Sequence, residues 1–299
     1  MPFPRVWLIT GSSSGFGREA VVQALERGDN VVATLRNPAA LSALSAAYPP
    51  SRLRVVPLDV TKPEQIAQAF QAALAAFGRV DVVFNNAGYV VLGEAEAVPE
   101  HTARAMFDVN FWGAVRVSVE AVRVFREENV PRGGLLVQNS ATVGLVGWPA
   151  VSFYSASKHA LEGFSESLAK ELDPAWNIKV VIVEPGAFRT AVLEKNMIVA
   201  PQHPAYTKPT SPAYHARGAF LKGAGKEAGT DADLHPSDPS KAVAKIIEMT
   251  MLLSPPLRLP VGSDAVAAIR GKVKSLTDEI DGYALWSEDL EKYSTSGSS

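Results

Sequence analysis

Tyr154 and Lys158 are the residues of this chain whose types and spacing most directly suggest chemistry. They stand four positions apart in a segment with a helical pattern, which places both side chains on one face, one turn apart. A phenol is a poor base at neutral pH, but a neighbouring ammonium ion favours the phenolate and lowers its pKa. The pair could then exchange a proton with a carbinol or carbonyl oxygen. Ordinary surface residues also occur at this spacing, so the pair needs support from other motifs.

A glycine-rich turn near the N-terminus predicts a phosphate-binding site. Residues 10–17 read TGSSSGFG and lie between an apolar run and a helical pattern that starts near Arg18. Glycines there let the backbone approach a pyrophosphate, whose charge is favoured by the free amides of a helix N-terminus. The spacing is G-x-x-x-G-x-G rather than the commoner G-x-G-x-x-G, and such a turn alone can be purely structural.

The motifs together resemble the short-chain dehydrogenase/reductase family. Residues 10–17, 85–88, 110, 154–158 and 185–186 follow the order and spacing of that family, over about residues 5–190. The resemblance implies hydride transfer between NADP(H) and a carbonyl or alcohol, with Tyr154 as acid/base, Lys158 also holding the nicotinamide ribose, and Asn110 holding a water. It also implies a set of cofactor-binding residues: Gly11, Ser13, Ser14, Gly15, Phe16, Gly17, Arg36, Asp59, Val60, Asn86, Ala87, Gly88, Tyr154, Lys158, Pro185, Gly186 and Thr190.

The choice of cofactor is indicated at the end of the second predicted strand. Relatives that use NAD carry an acid there for the ribose hydroxyls, whereas this chain has Leu35 followed by Arg36. A guanidinium at that point can pair with a 2′-phosphate, although an arginine ending a strand is often only a solvated charge. Asp59 resembles the family residue that contacts adenine, and we expect it to be free for that role because Thr61 caps the next helix.

Asn110 is unusual in its surroundings. It lies in DVNFWG, within a predicted helix, where asparagine has poor propensity and competes for backbone hydrogen bonds. This favours a functional kink; the alternative is a polar residue on an exposed helix face.

The pattern departs from the family at the catalytic serine. That residue usually precedes the tyrosine by thirteen positions, and the count from Tyr154 falls on Ala141, with Ser140 one position early and Thr142 one late. Adjacent strand residues point to opposite faces, so Ser140 replaces its neighbour only if the strand end bulges or turns. Ser140 remains the candidate hydroxyl. If no hydroxyl serves, the chain would be a catalytically weak NADP(H)-binding or regulatory protein.

The elements that must position these residues alternate between strands and helices. Short apolar runs at 6–10, 30–35, 53–58, 80–84, 134–139 and 178–183 predict strands buried on both faces, separated by crossover helices. This predicts a single Rossmann-like α/β domain over residues 1–299 with a doubly wound parallel sheet. A capping box of Thr61 and Glu64 predicts one helix start, and Gly78 its end.

Residues 191–238 have little periodicity, and we expect an irregular substrate lid whose apolar residues cover an apolar substrate; the alternative is an ordinary surface excursion. Residues 293–299 are small and polar and predict a frayed tail. Trp148 is a further candidate for the wall of the substrate pocket.

Composition excludes several other classes of function. The net charge of −2 gives no reason to expect nucleic acid or membrane as a partner, and the chain has no cysteine for thiolate chemistry. The five histidines do not cluster with acids, so no catalytic metal is expected. The absence of a signal peptide and of a long apolar stretch favours a cytoplasmic location. The family often forms homodimers or homotetramers through helices resembling residues 99–128 and 152–172, and the second segment carries an apolar stripe.

Overall fold

The computed structural model describes residues 4–188, 197–223, 237–288 and 290. Its strands are β1 (Val6–Thr10), β2 (Asn30–Leu35), β3 (Leu53–Pro57), β4 (Val82–Asn85), β5 (Val90–Leu92), β6 (Gly134–Asn139), β7 (Ile178–Pro185), β8 (Met197–Val199) and β9 (Arg258–Val261). Seven of them form one parallel sheet in the order β3-β2-β1-β4-β6-β7-β9, and β5 pairs with β8 in a small second sheet. The single Rossmann-like α/β domain predicted from the sequence is confirmed.

Helices cover both faces of the large sheet. They are α1 (Gly15–Glu26), α2 (Ser42–Ala47), α3 (Pro63–Phe77), α4 (Glu100–Phe107), α5 (Ala114–Glu127), α6 (Ser152–Glu171), α7 (Pro212–Gly223), α8 (Pro239–Met249) and α9 (Ser263–Tyr283). Helices α1 and α8 pack on one face, and α3, α5 and α6 pack on the other. In the part of the chain that the structure describes, none of these helices is long and apolar enough to cross a bilayer.

The apolar strands are needed because both faces of the sheet are covered. Trp7 and Ile9 of β1 face α1 and α8, whereas Leu8 between them faces α3 and α5, and all three side chains are fully buried. Successive strand residues point to opposite faces, so a continuous apolar run supplies both cores.

The chain reverses its direction across the sheet between β1 and β4. Strands β2 and β3 lie on one side of β1, and β4, β6, β7 and β9 lie on the other. In open α/β sheets, ligands bind at the carboxyl ends of the strands at such a reversal. The glycine turn after β1 and residues 86–88 after β4 both lie there.

The start of α3 differs from the prediction. The helix begins at Pro63 with Lys62 at its N-cap and no side-chain cap, so the capping box of Thr61 and Glu64 is wrong. Proline suits the first helical position because it has no N–H to satisfy there. Gly78 ends the helix in the left-handed conformation, as expected.

The expected lid is partly regular. Its described residues include β8 and α7, which an irregular segment would not contain. Strand β8 is short and pairs with the distant β5, so no local pattern in the sequence indicated it. Residues 191–196 and 224–236 of the expected lid, Thr190, and the predicted tail at 293–299 lie outside the described residues.

Candidate active site

Close backbone packing requires glycine at two positions of the turn after β1. Gly11 has a φ of +70°, and a Cβ added to it would lie 2.9 Å from the Cα of Ala87. A Cβ at Gly17 would collide with the carbonyl oxygen of Gly11. Helix α1 begins at Gly15, and the N-cap residue Ser14 makes no side-chain capping bond. The amides of the first helical turn therefore lack a side-chain acceptor from Ser14 and are suited to an anion.

Hydrogen bonds join the carboxyl ends of three strands beside this turn. The Thr10 hydroxyl accepts from the backbone N–H groups of Asn86 at 2.8 Å and Ala87 at 2.9 Å. The Asn86 amide donates to the Thr10 carbonyl, and Asn139 donates to the Asn86 side-chain oxygen, each at 2.8 Å. Sequence reasoning identified Asn86 and Ala87 as cofactor residues but missed the positioning role of Asn139.

The predicted adenosine end of the site contains Arg36 and Asp59. Arg36 is exposed directly after β2, and its charge reaches the Asp59 carboxylate. Burial opposes ionisation of Asp59, but hydrogen bonds from the backbone and side chain of Thr61, together with nearby cations, outweigh it and lower the pKa. Asp59 therefore already has a structural partner in Thr61, contrary to the expectation that it would be free.

Asn110 lies in a π-helical turn, Asp108–Gly113, between α4 and α5. Its side chain is buried, and it accepts from the Tyr89 N–H at 3.0 Å and donates to the Tyr89 carbonyl at 2.9 Å. The exposed helix face considered as an alternative is therefore wrong, and a π-helical turn interrupts the α-helical pattern at Asn110. The predicted residue Val60 packs against Gly113, on which a Cβ would lie 2.7 Å from Val60 Cγ2.

Gly88 brings Asn110 and Lys158 together. A Cβ placed on Gly88 would lie 3.1 Å from Asn110 Oδ1 and 3.8 Å from Lys158 Nζ. Ser157, which sequence reasoning did not select, lies 3.4 Å from the Asn110 amide nitrogen. A Cβ at position 88 would therefore crowd the Asn110 side chain and make ordinary contact with Lys158.

Helix α6 places Tyr154 and Lys158 on one face, at the carboxyl end of the sheet. Lys158 is buried, donates to the Asn139 carbonyl at 2.7 Å, and has its Nζ 5.9 Å from the centre of the Tyr154 ring. Burial lowers the pKa of Lys158 to about 8, and the negative charge of Glu162 partly offsets this effect.

Burial raises the pKa of Tyr154 in the protein alone. The sequence argument expected the ammonium to lower this pKa, but the cost of removing a phenolate from water dominates here. Tyr154 is therefore a protonated phenol at neutral pH, which suits donation of a proton to a carbonyl oxygen.

The Ser140 hydroxyl has a hydrogen-bond partner within the protein. It is buried and donates to Glu162 Oε1 at 2.5 Å. Ala141 is half-buried, with extended backbone angles, and carries no hydroxyl. The Thr142 hydroxyl donates to the Pro185 carbonyl at 3.0 Å. Both neighbouring hydroxyls thus have partners within the protein, and the catalytic role predicted for Ser140 remains a prediction.

Glu162, the partner of Ser140, belongs to a cluster of acids around Arg258, in which Glu162 and Glu184 are buried and Glu166 is partly exposed. Arg258 of β9 pairs with Glu162 and, at 2.7 Å, with Glu184 Oε1, and its second amino group lies 3.1 Å from Glu166. Burial raises the pKa of Glu184 to about 7 although Arg258 opposes this. The cluster joins α6, β7 and β9, and sequence reasoning missed it because Arg258 is 74 residues or more from each acid.

The predicted residues Pro185 and Gly186 lie at the carboxyl end of β7, beside the start of α9. Gly186 donates to the Val261 carbonyl, and a Cβ added to it would collide with the Asp264 carboxylate, which accepts from the Ala187 N–H at 2.7 Å. Phe16 is buried against Phe188, with ring centroids 5.3 Å apart, so it could contact a cofactor only through its backbone.

Tyr154 packs against an apolar cluster on the side of the expected lid, and so does Phe220 of α7. The cluster combines buried residues of β5, β8, α7 and the two positions before α6: Val90, Leu92, Ala150, Val151, Met197 and Ala216. Arg217 of α7 is buried, donates to the Ala200 carbonyl at 2.5 Å and lies 3.5 Å from Glu94. These contacts hold α7 over the apolar residues next to Tyr154. Trp148 is half-exposed.

Comparison with protein families gives a match to the short chain dehydrogenase model over residues 5–198. The chain is 37% identical to oxidoreductase calM of Penicillium decumbens, over 92% of this chain and 89% of that protein. It is 36% identical to human retinol dehydrogenase 8, over 85% of this chain and 80% of that protein.

Among solved structures, a short-chain dehydrogenase from Streptomyces avermitilis superposes with a TM-score of 0.83 and 35% identity, covering 97% of this chain and 99% of that one. Two more distant structures share the fold. One, from Burkholderia phymatum, is in complex with NAD, with a TM-score of 0.70, 23% identity, and 97% and 98% coverage. The other, from Burkholderia cenocepacia, is in complex with NADP, with a TM-score of 0.65, 22% identity, and 93% and 97% coverage.

Proposed function

Because the chain belongs to the short-chain dehydrogenase family, we propose that it transfers hydride between NADP(H) and an apolar carbonyl or alcohol, as a carbonyl reductase or alcohol dehydrogenase. The observation that carries this proposal is the meeting of Asn110 and Lys158 at Gly88, with Tyr154 one helical turn from Lys158. Lys158 is buried, its pKa is lowered by burial, and its ammonium is fixed by the Asn139 carbonyl. A buried lysine with a shifted pKa beside a tyrosine supports a role in proton transfer.

The residues present fit a nicotinamide dinucleotide. The uncapped start of α1 suits the pyrophosphate, and Lys158 is positioned by the Asn139 carbonyl to hold the ribose. When bound, the cofactor gives or takes the hydride. Arg36 is exposed, and its positive charge acts on both Asp59 and Tyr89, so a 2′-phosphate at this end of the site would meet a solvent-accessible cation.

In reduction, Tyr154 donates its phenolic proton to the substrate oxygen as the carbonyl carbon receives hydride. The raised pKa of the free protein keeps that proton on the phenol until the substrate oxygen gains negative charge. Lys158 then stabilises the phenolate. Asn110, whose side-chain amide is hydrogen-bonded to both the N–H and the carbonyl of Tyr89, positions the water that returns the proton. In oxidation, the same groups act in reverse.

An apolar substrate is supported by the apolar cluster around Tyr154 and by Phe220 of α7. The similarity to a protein named retinol dehydrogenase supports the same class, since retinol is largely hydrocarbon. An apolar ligand would gain free energy by leaving water for these side chains.

A second candidate function follows from Ala141. A member without a donor at that position could bind NADP(H) and turn over slowly, as a regulatory protein. One assay separates the two: consumption of NADPH and NADH at 340 nm across a panel of apolar and polar ketones and aldehydes. We expect turnover with NADPH and apolar carbonyls. Tight NADPH binding with no turnover on any member of the panel would favour the regulatory protein instead.

A further inference from the structure

Helix α9 projects from the body of the protein. Its base is anchored by the buried Ala265 and by the bond from the Ala187 N–H to Asp264. Every residue from 273 to 288 is exposed. Helices in proteins gain most of their stability from packing of an apolar face, and among the described residues nothing packs on the outer half of α9.

Helix α9 carries the apolar repeat of a coiled coil. Apolar residues recur at alternating intervals of three and four: Val266, Ile269, Val273, Leu276, Ile280 and Tyr283. The first two are half-buried at the base, whereas Ile280 is 67% exposed and Tyr283 is 66% exposed. This spacing produces one straight seam along a helix, which is the seam that a second helix covers.

The charges beside the seam are segregated along the helix. Between residues 270 and 281, the basic residues Arg270, Lys272 and Lys274 come first, and the acidic residues Asp278, Glu279 and Asp281 come after them. Two parallel copies would place like charges together. Two antiparallel copies would place the basic half of each helix against the acidic half of the other.

We propose that α9 is a self-association surface, on which a second copy of this chain packs its own α9 antiparallel around a two-fold axis. In the register that layers Val273 on Leu276 of the second copy, Lys272 lies beside Glu279 of the second copy, and symmetry repeats the pair. A shift by one heptad would instead place Glu279 against Glu279. Charge therefore selects both direction and register.

The surface differs from the helix face that the sequence favoured for oligomers. In α6, Leu161 is buried in the chain, and the Phe164 ring packs 6.5 Å from Phe111. That stripe therefore has partners within the subunit, whereas the stripe of α9 does not among the described residues. The inference does not depend on the proposed activity.

The first test is the oligomeric state of the full chain, measured by sedimentation equilibrium between about 1 and 100 µM. Ile280→Glu places one carboxylate from each copy in the seam. Because burying an unpaired carboxylate is costly, this variant should weaken self-association at least about a hundredfold. Leu253→Glu is the control: Leu253 is fully exposed but lies outside α9, and its variant should associate like the parent. If the parent chain is a tetramer, Ile280→Glu should stop at the dimer.

The second test is register. Lys272→Glu and Glu279→Lys should each weaken association, and the double variant should restore it. Because the chain has no cysteine, single-cysteine variants report contacts cleanly. A mixture of Val273→Cys and Leu276→Cys should form a disulfide-linked dimer on oxidation. Val273→Cys alone should form no such dimer, whereas parallel helices would link it to itself.

Three results would overturn the proposal. The first is a parent chain that remains monomeric at 100 µM, and the second is an assembly that Ile280→Glu leaves unchanged. The third is a monomer that binds phosphatidylcholine vesicles and loses that binding in Ile280→Glu, which would assign the stripe to a lipid surface.

Discussion

Adding a hydroxyl at Ala141 is the perturbation that most sharply separates the two geometries of the active site. The structure gives the Ser140 hydroxyl to Glu162 and leaves Ala141 extended and half-buried at the family's serine position. Ala141→Ser therefore adds one oxygen without a change of backbone conformation. The new donor would bind the reacting oxygen more strongly as negative charge develops on it.

The expected size of the effect follows from the value of one such donor. Removing a donor to a developing oxyanion typically costs about 100-fold or more in rate, and a gain of only about 1.4 kcal/mol gives tenfold. We therefore expect kcat for carbonyl reduction to rise by about 10- to 100-fold in Ala141→Ser. Ser140→Ala should leave kcat nearly unchanged and lower the free energy of unfolding by about 1.5–3 kcal/mol, because a buried carboxylate loses a hydrogen bond.

The assay is steady-state NADPH consumption with one ketone, together with urea unfolding of both variants and a deuteride isotope effect. Loss of turnover in Ser140→Ala, with Ala141→Ser neutral or slower, would show that Ser140 faces the substrate. If neither variant changes a rate limited by hydride transfer, no serine in this segment contributes and the reasoning is refuted.

Three further predictions follow from other parts of the site. Arg36→Ala should weaken NADPH binding, measured by fluorescence titration, about tenfold or more and NADH binding little, because only NADPH carries the 2′-phosphate; equal losses would contradict the assignment. The value of kcat/KM for NADPH should fall about tenfold per pH unit above about pH 8, because burial lowers the pKa of Lys158 to about 8 and the ammonium is lost there; a flat profile up to pH 10 would reject that role. Burial raises the pKa of Glu184 from 4.5 to about 7, so between these pH values the folded protein holds a proton that the unfolded chain has released. The contribution of protonated Glu184 to the free energy of unfolding is therefore fully present below about pH 4.5 and is lost as pH rises through 7. Glu184→Gln should remove about 3 kcal/mol of that pH dependence in urea unfolding at pH 4 and pH 8, and an unchanged dependence would disprove it.

The sequence predicted the features that depend on local pattern. The strand at 134–139 and the glycine turn were identified because apolar runs and glycine spacing are read within a few residues. The kink at Asn110 was indicated by a residue poorly suited to a helix, and the π-helical turn agrees with it. The capping box failed because Thr61 binds Asp59 instead of the helix.

Contacts between distant residues were not predictable from local pattern. Nothing near Ser140 indicates that its hydroxyl meets Glu162, or that Glu162 in turn pairs with Arg258 of β9. The pKa of Tyr154 was expected to fall beside Lys158, but burial, which depends on the whole fold, raises it. The described part of the lid became regular through the pairing of β8 with β5.

The most direct test of the account is the transfer of deuterium to an apolar ketone from NADPH in which both hydrogens of the reactive ring carbon are replaced by deuterium. Product mass is measured for the parent chain and for Tyr154→Phe, with NADPH binding measured in parallel. We predict an alcohol one mass unit heavier with the parent chain, and near-normal NADPH binding with almost no product in Tyr154→Phe. An unlabelled alcohol, or labelled product at the parental rate from Tyr154→Phe, would contradict hydride transfer with Tyr154 as the proton donor.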